Sequence, residues 1–212
     1  GSGVASYRFE FTASASPPAC GTLSQGSAST SARSAALAAG TWFLHVCAVD
    51  SASNESPVTT GGPYMNDLSA PRVTTIDSVA SSGGAIGESE VVNAAITQLL
   101  VSFDEAMDAT LAQTTSHYLL VAAGADGTVD TTVCGPLQDD DAGLSIDGAT
   151  YSGLTSTLTV NGSTALGDGS YRLLVCASLE DTAGNALDGD GNGIGGDDFS
   201  RSFRVDRTPP TV

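Results

Sequence analysis

The 212 residues carry 24 acidic side chains against 7 basic ones, a net charge of −17, with 6% aromatics and 25 glycines. Such a field repels nucleic acid and anionic lipid and attracts cations, and it excludes a nucleic-acid-binding role. No apolar run reaches the ~20 residues needed to insert in a bilayer, and all seven basic residues are arginine, which excludes Lys–Asn isopeptide cross-links.

In chain order, the opening Gly1, Ser2 and Gly3 read as a cut end, so the absence of a signal peptide says nothing about export. Four words follow: ACGTL (19–23), ALAAGTWFLHVCA (36–48), AVDSASN (48–54) and DLSAPRV (67–73). Each returns in the same order, as VCGPL (133–137), ALGDGSYRLLVCA (165–177), SLEDTAGN (178–185) and DRTPPTV (206–212). A tandem repeat sets the architecture before any element is assigned. It predicts one domain over 1–68, a second over 69–207, and the start of a further linker at 208–212, with Pro71 and Pro210 stiffening the connections.

The copies differ in two places. Only six residues precede Tyr7, which aligns with Tyr118, whereas Tyr118 lies 47 positions after Pro71. The first domain is therefore expected to lack about two N-terminal strands, either because the sequence is cut inside a domain or because a neighbouring chain or fragment supplies them at the edge beside Tyr7–Thr12. The second copy holds ten extra residues before its exit, since the late cysteines are 129 positions apart and the prolines 139. That stretch contains DGDGNGIGGDD (188–198).

Within the second unit, short β-rich runs broken by Gly, Asn, Asp and Ser predict strands at 72–79, 98–103, 118–122, 143–146, 157–160, 171–177 and 199–205. Nothing sustains a helical period. Seven strands suit an all-β, Ig-like sandwich. Tyr171, Leu173, Val175 and Ala177 share one face of the late strand, as do Trp42, Leu44, Val46 and Ala48 in the first unit, and these are the predicted core faces. Leu166, Gly169 and Tyr171 fit a tyrosine corner, in which the phenol bonds back to the preceding connection. Leu37, Gly40 and Trp42 stand in those places in the first unit, so the fold is expected to persist there without the phenol bond.

SFDEAMD (102–108), LGDGSY (166–171) and DTAGN (181–185) resemble the bacterial Ig-like domains of S-layer and large cell-surface proteins, and GTWFLHVCAVDSASN (40–54) is similar to the fibronectin type III domains that accompany them. The resemblance covers nearly all of the second unit and the later part of the first. It implies two tandem β-sandwiches acting as stalk or spacer. The chain departs from that pattern in its cysteine pairs and its Asp/Gly insertion.

Cys20 and Cys47 in one unit match Cys134 and Cys176 in the other, which reads as one disulfide per unit and an oxidising compartment. The alternatives, buried thiols or a zinc site, lack any CxxC spacing or neighbouring histidine to support a metal. Charge is lopsided: residues up to Asn66 carry a net −1 and the remainder −16. The acidic unit is read for metal first. Asp188, Asp190, Asn192 and Gly193 satisfy the first half of a calcium loop, with the Ile194 carbonyl at the seventh position, and resemble dockerin or thrombospondin-type repeats in ligand spacing only. The closing Glu is replaced by Phe199, so Asp197 or Asp198 would complete the shell around Ca2+; the other reading is a solvated Asp/Gly turn.

Other motifs are weaker. GNGIGG (191–196) matches a dinucleotide fingerprint, but no helix follows to accept a phosphate. Glu105, Asp108 and Asp181 form a second cation candidate, against the simpler reading of turn-capping carboxylates. Asp139, Asp140 and Asp141 read as a solvated loop. Asn54 and Asn161 satisfy the glycosylation sequon, although Asn161-Gly162 reads better as a hairpin turn. His45, read as facing solvent, and His117 lie in separate units with no nucleophile elbow or zinc-type pair, so no enzyme is expected. The sequence thus points to a non-catalytic spacer of a bacterial extracellular or cell-surface repeat protein, with neighbouring domains or copies of itself as partners. The other expectations are a filament subunit joined by inter-chain strand complementation, and an ancillary glycan-binding module of a secreted hydrolase.

Overall fold

The computed structural model describes residues 3–31, 33–78, 81 and 83–211, so expectations that fall on Gly1, Ser2, Val79 and Val212 lie outside it. The chain divides between Leu68 and Ser69 into two compact units. Among the described residues the only α-helix, α1, has four residues (Ala109–Ala112), and strands carry nearly all the regular structure.

The first unit is a single sheet of β1 (Val4–Thr12), β2 (Gln25–Ser27), β3 (Gly40–Asp50) and β4 (Thr59–Asn66), in the order β2-β1-β3-β4. β1 is thus an interior strand: β2 pairs with it over Tyr7–Phe9 and β3 along most of its length. An incoming strand beside Tyr7 meets β2 first.

The second unit is a two-layer sandwich. One sheet contains β5 (Val73–Asp77), β7 (Gln98–Phe103), β10 (Ile146–Ser152) and β11 (Thr155–Val160), ordered β10-β11-β7-β5. The other contains β6 (Glu90–Val92), β8 (Tyr118–Ala122), β9 (Ala142–Leu144), β12 (Gly169–Val175) and β13 (Phe199–Val205), ordered β6-β13-β12-β8-β9. Every pairing is antiparallel except that of β6 with β13. Alternation explains the core: Leu99, Val101 and Phe103 of β7 and Leu158 and Val160 of β11 face Leu120 of β8 and Leu173 and Val175 of β12 in one buried cluster. Full burial of each such side chain stabilises by about 1.5–3 kcal/mol.

The apolar run at 143–146, which reads as one strand, is the point where the chain changes sheets. β9 ends at Leu144 paired to β8, and β10 begins at Ile146 paired to β11. β10 itself escapes sequence reading because it is an edge strand with no fully buried residue, interrupted by Gly148. Asn161-Gly162 forms a one-turn 3-10 segment after β11 with both residues at positive φ; it does not join two paired strands.

Along β3 burial reverses the predicted faces. His45 and Cys47 are buried, while Trp42, Leu44, Val46 and Ala48 are only half-buried. The reason is what lies on each side. The 3-10 turn Cys20–Thr22, tied by the Cys20–Cys47 disulfide, closes one face with Leu23. Among the described residues no second sheet covers the other. His45, expected in solvent, sits with Nε2 2.9 Å from Thr12 Oγ1 and 3.0 Å from the Ser14 carbonyl, and with Nδ1 2.9 Å from Thr60 Oγ1.

The corner bond is present in both units. Tyr171 Oη donates to the Gly167 carbonyl at 3.0 Å, and Trp42 Nε1 donates to the Ala38 carbonyl at 2.9 Å. Gly167 and Ala38 are repeat equivalents, so the indole N–H supplies the bond that the missing phenol would have made. Tyr171→Phe and Trp42→Phe should each cost about 1 kcal/mol, measured by denaturant unfolding followed by circular dichroism.

Candidate metal centre

The connection from β12 to β13 is built from carboxylates that replace regular secondary structure. Its first turn is closed by Asp181, whose Oδ1 accepts the N–H groups of Ala183 and Asn185 at 2.8 Å each, while Oδ2 accepts Asn185 Nδ2 at 2.9 Å. Asp50 repeats this arrangement in the first unit, with Oδ1 accepting from Ala52 and Asn54 and Oδ2 from Asn54 Nδ2. The shared Asp-x-x-x-Asn word is therefore a turn motif. Asp108 caps α1, accepting the N–H groups of Thr110 at 2.7 Å and Leu111 at 3.0 Å, and these hold its carboxyl below the ordinary range. Glu105 and Asp181 bring carboxylate oxygens within 4.8 Å of each other; Asp108 is not in that group.

The Asp/Gly insertion follows. Leu187 O accepts the N–H groups of Gly196 and Asp197, which pinches the loop shut and brings Asp188 opposite Asp197. Asp188, Asp190 and Asp197 then place carboxylate oxygens within 4.8 Å of one another. Glycine is required at Gly193, with φ of 93°, and at Gly189, where a Cβ would run into the backbone of Asp198. Asp188 is buried: Oδ1 accepts from Asn192 N at 3.0 Å, and Oδ2 from Gly193 N and from Arg72 Nε, both at 2.8 Å. Burial pushes this carboxyl up, but the Gly193 N–H and the Arg72 guanidinium outweigh it and hold the group below the ordinary carboxylate range.

Asn192 stays within the loop, its Nδ2 donating to Asp190 Oδ2 at 3.0 Å. Asn192 Oδ1 accepts the Ile194 N–H at 2.7 Å, and the Ile194 side chain is exposed. Asp198 is directed away: Oδ1 accepts the Ala177 N–H at 2.7 Å and Oδ2 the Cys134 N–H at 2.6 Å. Adjacent residues of an extended segment face opposite sides, so Asp197 joins the acidic loop while Asp198 clamps the chain on both sides of the Cys134–Cys176 disulfide. The carboxylates that could hold a hard cation are Asp188, Asp190 and Asp197, with Arg72 already neutralising part of the cluster. Arg72 lies 116 positions from Asp188 and gives no local signal in the sequence.

In the Asp139–Asp141 run the first two residues are exposed, as a solvated loop requires, and the third is not. Asp141 is buried, and its Oδ2 accepts the N–H groups of Asp130 at 3.0 Å and Thr131 at 2.7 Å; Asp140 Oδ2 accepts the Ala125 N–H at 2.6 Å. These bonds fold the 123–141 connection, and Arg172 on the outer face of β12 donates to the carbonyls of Val129 and Thr131. The connection thus lies across that face, where Val121 and Leu174 are fully buried. His117 Nδ1 lies 2.8 Å from Ser178 Oγ.

Two disulfides fit maturation in an oxidising compartment, and no helix among the described residues is long and apolar enough to cross a membrane. Comparison with family models, curated proteins and solved structures returned no match to this chain.

Proposed function

We propose that the chain is a non-catalytic structural module, a stiff spacer of a bacterial extracellular or cell-surface repeat protein, in which the 188–197 loop holds calcium. One observation carries this reading: the same late strand, disulfide, Asp–Asn turn and corner bond are built twice in tandem. The polar groups that could serve chemistry, the two histidines and most carboxylates, are engaged in holding that frame. The strand order of the second unit supports an Ig-like relationship, because β5, β7, β11 and β10 follow the A-B-E-D arrangement and β8, β12 and β13 the C-F-G arrangement of that fold.

Calcium supplies a hard positive charge that relieves repulsion among Asp188, Asp190 and Asp197. Arg72 competes with it for Asp188. Since Asp188 is bonded to its loop and to Arg72 in any case, its truncation destabilises with or without metal. The discriminating variant is therefore Asp190→Ala with Asp197→Ala. Calcium added to chelator-treated protein at about 100 times Kd stabilises by about 2.7 kcal/mol, raising the melting temperature of the second unit by roughly 5 °C or more. The double variant should lose that rise. A wild-type melting temperature indifferent to calcium would leave the loop a turn.

A further inference from the structure

The sheet of the first unit has two faces of opposite chemistry. Register places Tyr7 opposite Ala48, Phe9 opposite Val46 and Phe11 opposite Leu44, so these side chains share one face with Trp42, while Arg8 and Glu10 turn to the other with His45 and Cys47. Along β1 from Tyr7 to Phe11 and along β3 from Trp42 to Ala48, the first face presents no charge. A groove of about 390 Å³ runs over Tyr7, Phe9, Phe11, Leu44 and Val46, flanked by Ser27 and residues 29–31, and one of about 590 Å³ continues over Trp42 and Tyr64, flanked by residues 34–37.

The second unit contains the same face. Leu44 and Val46 correspond to Leu173 and Val175, which are fully buried against Leu99, Val101, Leu158 and Val160 of the opposing sheet. What covers this face is therefore another β-sheet presenting aliphatic and aromatic side chains. A second copy of the first unit meets that description, because its own apolar face, half-buried apart from Phe9, is such a sheet. Two apolar faces stacked at about 10 Å form the two layers of a sandwich, related by a two-fold axis that makes the contact self-complementary.

Charge and size favour this occupant. Sixteen of the seventeen net negative charges lie beyond Asn66, so the first unit is where two copies meet with least repulsion. From strand spacing and rise, strands of 9, 3, 11 and 8 residues present a face of about 490 Å², or about 1,000 Å² for two copies. That is the size, about 1,000 Å², at which specific interfaces begin.

We infer that the chain self-associates through this face, the first units of two copies stacking sheet on sheet to complete one sandwich. The test uses the chain as it stands. Trp42 is its sole tryptophan and lies on the proposed interface, so sedimentation equilibrium and Trp42 emission are recorded on one dilution series. The expected result is a mass rising from 21.1 kDa toward twice that value, with a blue shift of Trp42 emission following the same isotherm. Phe11→Asp should remain a monomer where the wild type is dimeric, and Glu10→Lys, on the opposite face, should still dimerise. If Phe11→Asp does not fold, the wild-type series decides alone. A monomer persisting to about 100 μM, which would populate any dimer of micromolar Kd, overturns the inference and leaves the face to a different β-sheet partner. So does a dimer whose Trp42 emission is unchanged, since it joins elsewhere.

Discussion

Truncating Leu173 to alanine should cost about 3–4 kcal/mol, whereas the same change at its repeat counterpart Leu44 should cost less than about 1.5 kcal/mol in dilute solution. The two leucines occupy one position of one motif. Leu173 is fully buried between two sheets, so its removal forfeits transfer energy and leaves a cavity that close-packed neighbours cannot fill. Leu44 lines an open groove, where water fills the space and no cavity term arises. Denaturant unfolding checks both, with Trp42 fluorescence reporting the first unit and tyrosine near-ultraviolet circular dichroism weighted toward the second. Equal costs would mean that Leu44 is covered in solution, the outcome expected at concentrations where the first unit has found its partner.

Replacing Cys134 and Cys176 together by alanine should destabilise the second unit by about 4 kcal/mol and lower its melting temperature by roughly 10 °C. The bond closes 42 residues, against 27 for Cys20–Cys47, so the loop-entropy term is slightly larger here. It also anchors the 123–141 connection over the outer face of β12. Asp198 accepts backbone N–H groups on both sides of the bond, so the variant should retain part of the local geometry, and adding Asp198→Ala should release the remainder. Calorimetry of the oxidised wild type, the double variant and the triple variant separates the two contributions. A triple variant no less stable than the double would show that Asp198 holds nothing by itself.

Strands with a strong apolar face were legible from sequence alone. The runs at 98–103, 118–122 and 199–205 coincide with β7, β8 and β13: β7 and β13 set buried apolar residues at alternate positions, broken in β13 by Arg201, and β8 is apolar throughout because both of its faces are covered. β10 was not, since an edge strand with half its surface in water has no need of that pattern. In the first unit periodicity identified the apolar face correctly and its burial incorrectly. Alternation records the chemistry of a face, and burial depends on what the rest of the fold places against it. At the acidic loop, the spacing of Asp188 and Asp190 was readable because those carboxylates are local. Arg72, and the diversion of Asp198 to Cys134, were not, since their partners lie 116 and 64 positions away.

The paired corner bonds of Tyr171 and Trp42 show what a duplicated architecture retains as its copies drift apart. Phenol and indole differ in size, ring count and donor element, yet both project one polar hydrogen to the carbonyl four residues upstream. The conserved quantity between the two copies is a direction in space, and side-chain identity is free to change around it. A search for such domains by tyrosine alone would pass over the first unit; a search for any aromatic donor at that reach would find both.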